Sequence, residues 1–96
     1  MSKRELESVL IRKVIEEWNP FSLEDSIYGA ESYEIYKCVV GDNYQNNPQK
    51  IAIVIQRQLS RYEKYLNKKI DLEYEKCLEI AIKITNLLDV NKNGDV

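Results

Sequence analysis

A periodic apolar segment that ends in the chain's single Trp and is cut off by Asn19-Pro20 constrains the fold more than any other feature. From Ser2, a predicted N-cap, to about Glu17, the residues Leu6, Val9, Leu10, Val14 and Trp18 recur at three- and four-residue spacing, the period of an amphipathic helix. Ile11 and Ile15 widen the stripe, as a helix facing two neighbours requires. Pro20 stops the helix, because the residue before proline is pushed out of helical geometry. Trp18, Asn19 and Pro20 are therefore expected to make a structural turn, with Trp18 anchored in the core and Asn19 satisfying loop backbone. A fully buried Trp18 implies a loss of ~3–5 kcal/mol on truncation to Ala.

After the turn, residues 21–30 read as a compact irregular loop tacked to the core by Phe21, Leu23 and Ile27. Residues 31–40 fit a strand by residue type and a helix by period. Helix is the better reading, since no second convincing strand exists and a lone strand leaves its backbone groups unpaired. Gly41 is expected to cap it. The clearest signal follows: Asn47 as N-cap, Pro48 at the first helical position, then Ile51, Val54 or Ile55, Leu59, Tyr62 and Leu66 in helical period. A last helix capped by Asp71 carries Tyr74, Cys77, Leu78, Ala81, Ile84 or Thr85, and Leu88. The connection before it is short, so the third and fourth helices are expected to be antiparallel neighbours. The fold class is thus all-α, a small bundle of about four helices with an irregular loop after the first, in a single domain over residues 1–88 with a flexible tail at 89–96.

Composition excludes several functions. The chain has 96 residues and no His, which removes the commonest general base and metal ligand. Three Gly residues and the absence of Gly-rich phosphate motifs exclude the usual nucleotide loops. Glu16-Glu17 begins the carboxylate pattern of helical nucleoside-triphosphate pyrophosphatases, but Pro20 stands where the third carboxylate belongs. Asp89 to Asp95 resembles the opening of a calcium loop that lacks its closing Glu. No enzyme, metal or cofactor is expected. The longest apolar run, residues 51–55, is far below the ~20 residues of a membrane span. Without an apolar leader segment, a cytoplasmic location is expected. Cys38 and Cys77 have no metal-type spacing and read as buried free thiols.

Charge is segregated on a chain of net −2. Residues 21–47 carry five acids against Lys37, residues 48–70 six bases against Glu63, and residues 71–96 six acids against three Lys. Glu24, Asp25, Glu31 and Glu34 form an acidic block suited to a partner protein with a basic surface. Lys50, Arg57, Arg61, Lys64 and Lys68 align as a basic stripe on the third helix. That stripe is either a solvated face opposite Glu73, Glu75 and Glu79 of the last helix, or a phosphate-binding face with Tyr62 and Tyr65 available to stack on bases. Net acidity argues against nucleic acid. Tyr-rich faces on the second and third helices leave self-association open.

Trp18-Asn19-Pro20 and the segment Glu31-Ser32-Tyr33-Glu34-Ile35-Tyr36 resemble the small helical bacterial family typified by Bacillus YugE, in which a Trp-Asp-Pro turn precedes an acidic Tyr segment. Asn19 stands where that family has Asp, and Ser32 separates Glu31 from Tyr33. The resemblance implies packed helices and no assigned activity. Small helical proteins of similar size and charge also act as immunity partners of bacterial toxins, so a non-catalytic protein-binding domain that neutralises a cognate toxin is the leading expectation.

Overall fold

Among the described residues four helices close into a ring, each packing on two neighbours. The computed structural model describes residues 3–24, 28–44, 46–67 and 72–94. Helix α1 spans Lys3–Trp18, α2 Gly29–Gly41, α3 Pro48–Leu66 and α4 Tyr74–Gly94. α1 packs on α2 and α4, and α3 packs on the same two, with α3 and α4 the most extensive pair. The shared core comprises Ile11, Val14 and Ile15 of α1, Ile35 and Val39 of α2, the Ile51–Leu59 face of α3, and Cys77, Ala81 and Ile84 of α4. Its radius of gyration, 12.9 Å, matches the ~13 Å of a compact chain of this length. All described regular structure is helical, so the helical reading of residues 31–40 is the correct one. No described helix is long and apolar enough to cross a membrane.

α3 begins as its sequence dictates. The Asn47 side chain accepts from the Lys50 N–H at 3.2 Å, and Pro48 occupies the first turn, where its missing N–H costs nothing. Asn67 ends the helix in left-handed conformation at φ 52°. Just before α4 starts, the Leu72 carbonyl is tied to α3 by Gln56 Nε2, which donates to it at 2.9 Å.

Four expectations need correction. Val9 is half-exposed, and the buried centre of α1 is Ile11, Val14 and Ile15, the residues expected only to widen the stripe, on a helix that packs against α2 and α4. Gly41 lies in the last helical turn, and the left-handed residue after α2 is Asn43 at φ 62°. Asn tolerates that region through its short polar side chain. α4 does not stop at Leu88 but continues to Gly94, so residues 89–94, read as tail from the sequence, are helical. Cys77 is buried and burial pushes its thiol up, whereas Cys38 is only half-buried; both are free. Ser2, Asp25, Ile27, Lys68 and Asp71 lie outside the described residues.

Candidate functional site

The turn after α1 is organised by one side chain. Asn19 adopts φ 44°, its N–H completes the helix ladder to the Ile15 carbonyl at 2.9 Å, and its carbonyl accepts from Ser22 N–H at 3.0 Å. The side chain then closes the loop: Oδ1 accepts from Leu23 N–H and Nδ2 donates to Leu23 O, both at 3.0 Å. Oδ1 also accepts from the Tyr28 hydroxyl at 2.6 Å, and that hydroxyl accepts from Phe21 N–H at 3.0 Å. Tyr28 is fully buried at the entry to α2, so this node fixes where α2 starts relative to the end of α1. Trp18 packs on the core only half-buried, and the fully enclosed ring of the turn is Tyr28.

From Tyr28 an aromatic ladder climbs to the surface. Tyr62 of α3 meets Phe21 and Tyr28 edge-on, at centroid distances of 5.4 and 5.8 Å. Tyr65 stacks on Tyr62 at 6.2 Å and is 84% exposed. Beside this ladder, α2 and α3 enclose a groove of about 450 Å³ lined by Ala30, Glu31, Glu34, Gln58, Arg61, Tyr62 and Tyr65. Glu31 and Glu34 form its acidic wall, one helical turn apart on α2, and Arg61 rises from α3. Glu34 Oε1 bonds Lys37 Nζ at 3.0 Å, which pushes the ammonium up. Burial, then Glu31 and Tyr65, push the Tyr62 phenol up. For Tyr28 burial dominates over the opposing Phe21 N–H, with Tyr62 and Glu31 adding to the rise.

The groove brings together residues from two surfaces that the sequence keeps apart. From the acidic block, Glu31 and Glu34 line it, while Glu24 sits exposed on the preceding loop. From the basic stripe, Arg61 lines it and exposed Arg57 and Lys64 flank it a turn away on either side. Lys50 is remote, about 16 Å along α3 at 1.5 Å per residue, with its Nζ 5.1 Å from the centroid of Tyr44. Glu79 Oε1 bonds Lys76 Nζ at 3.3 Å within α4. Glu16 is held by Arg12 Nε at 3.0 Å. No cluster of three metal-ligating side chains occurs among the described residues. Tyr28 and Gln58 were not singled out by sequence; no local signal marks a Tyr that bonds an Asn nine positions earlier.

Opposed charges beside a stacked pair of tyrosines provide recognition chemistry, with aromatic area for contact and charges for orientation. The family model described as domain of unknown function (DUF1871) matches residues 10–95, and the chain belongs to that family. No curated protein and no solved structure matches it.

Proposed function

We propose that this chain is a non-catalytic protein-binding domain and that the α2–α3 groove is its interface. The observation that carries this reading is Tyr65, 84% exposed and stacked on Tyr62 beside Glu31, Glu34 and Arg61. Tyr and Arg are the residue types that dominate binding energy at interfaces, and a large exposed ring backed by a buried ladder is pre-ordered for contact. The partner is a protein that brings basic groups to Glu31 and Glu34, with Glu24 adding to the field from the loop. An immunity-type inhibitor covering the basic surface of a cognate toxin is the specific form, within a bacterial, cytoplasmic family of the YugE type. Small size and a chain without His suit an occluder more than a catalyst.

The test is affinity capture from the source cell with the wild-type chain, the double variant Glu31→Lys/Glu34→Lys, Tyr65→Ala, and a control Lys83→Glu on α4. A partner retained by wild type and control, lost from both groove variants and released by salt supports the reading. Capture indifferent to the groove variants sinks it. A second reading, single-stranded nucleic acid on Arg57, Arg61 and Lys64, draws on the exposed Tyr65 as a stacking platform. It is abandoned if labelled oligonucleotides show no shift at low salt.

A further inference from the structure

The groove carries opposite charges on its two walls, Glu31 and Glu34 on α2 against Arg61 on α3, with Arg57 and Lys64 exposed alongside. Such a surface complements its own image. A two-fold axis running along the groove turns each copy's acidic wall toward the other's basic wall, the arrangement in which residue i meets j and j meets i. A uniformly basic partner would satisfy Glu31 and Glu34 while standing against Arg61. A second copy answers both walls at once. The stacked Tyr62–Tyr65 pair lines the groove from α3 together with Arg61, and Tyr65, 84% exposed, supplies the ring that a facing copy would cover.

We propose that the chain forms a homodimer across the α2–α3 groove, with Glu31 and Glu34 of each copy opposite Arg61 of the other and the Tyr65 rings sealing the seam. The proposal rests on the reading of the groove as a protein interface and names its resting occupant. A foreign partner then binds in competition with the second copy, so its apparent affinity falls as the chain's own concentration rises. Exposed ion pairs contribute little by themselves. Covering the tyrosine rings supplies the affinity, and the charges set the register and exclude wrong pairings.

Sedimentation equilibrium on the full chain tests this, with Glu31→Lys/Glu34→Lys, Arg61→Glu, their equimolar mixture, and Tyr65→Ala, each verified as folded by circular dichroism. The expected result is a wild-type dimer, a dissociation constant raised about tenfold or more in each charge variant, and recovery toward wild type when the two reversed chains are mixed. Tyr65→Ala changes one exposed ring, so it remains informative if a charge variant fails to fold; it should weaken the dimer as well. A wild-type monomer at high concentration, or a dimer indifferent to all these changes, overturns the proposal. A monomer whose foreign partner is still lost with Tyr65→Ala overturns the homodimer and leaves the protein-binding reading standing. A groove-dependent dimer whose foreign capture ignores Glu31, Glu34 and Tyr65 supports the homodimer and removes the foreign partner from this site.

Discussion

Replacing Tyr28 by Phe removes one oxygen atom and keeps the ring, so it isolates the polar node that joins α1 to α2. The hydroxyl donates to Asn19 Oδ1 at 2.6 Å and accepts from Phe21 N–H at 3.0 Å, in a fully buried residue. After the change Asn19 Oδ1 still has Leu23 N–H, but Phe21, itself only 3% exposed, loses the acceptor of its amide. An unsatisfied buried donor costs ~1–3 kcal/mol and a lost net hydrogen bond ~1 kcal/mol. The retained ring leaves almost no cavity. The expected loss is therefore about 2–3 kcal/mol, a shift of roughly 8–24 °C at ~4–8 °C per kcal/mol for a domain of this size. Urea unfolding measures it, followed by fluorescence of Trp18, the residue next to the node, and by helical circular dichroism. The midpoint should fall with an unchanged slope, and Tyr65→Phe, at the exposed end of the same ladder, should be neutral. A Tyr28→Phe loss below ~0.5 kcal/mol would mean that the hydroxyl carries no net free energy and that the turn is held by ring packing alone.

Ser32→Ala should raise stability by ~0.5–1.5 kcal/mol, because the hydroxyl is 2% exposed with no hydrogen-bond partner and Ala is the better helix former; a lower melting temperature would reveal a bond that this geometry lacks. Trp18→Ala, at a half-buried position, should cost ~1.5–3 kcal/mol, less than the ~3–5 kcal/mol of a fully enclosed aromatic, as read from dichroism-monitored unfolding; a loss at the top of that range would place Trp18 in the core after all. Alkaline pH should destabilise the domain. The folded phenols of Tyr28 and Tyr62 sit above the ordinary 10.0, so their stabilisation is complete below pH 10 and is lost as pH rises through the folded values. Urea midpoints measured from neutral to strongly alkaline pH should stay flat and then fall, less steeply in Tyr28→Phe; an identical fall in the variant would assign the effect to other groups.

What sequence made legible and what it hid divide along a physical line. Local rules place the helices: Asn47-Pro48 announces α3 because cap and first-turn proline act within a few residues, and α2 emerges as helix because a strand would have had nothing to pair with. Local rules fail where a second element decides. The sequence shows that α1 faces two neighbours, but only their placement decides that Ile11 and Ile15 are central and Val9 is half-exposed. The end of α4 passes Leu88 without a signal, since the one apolar residue of the helix beyond it, Val90, is 67% exposed and continues no buried stripe. The site follows the same division. Glu31 and Glu34 share a face of α2 by spacing alone, and Arg57, Arg61 and Lys64 share a face of α3, yet spacing says nothing about how one helix is turned toward the other. That rotation depends on Tyr28, whose bond to Asn19 ties the start of α2 to the end of α1 while its ring meets Tyr62 of α3. One buried tyrosine thus makes two separate charge patterns into opposite walls of one groove, and weakening it should loosen the groove before it unfolds the bundle.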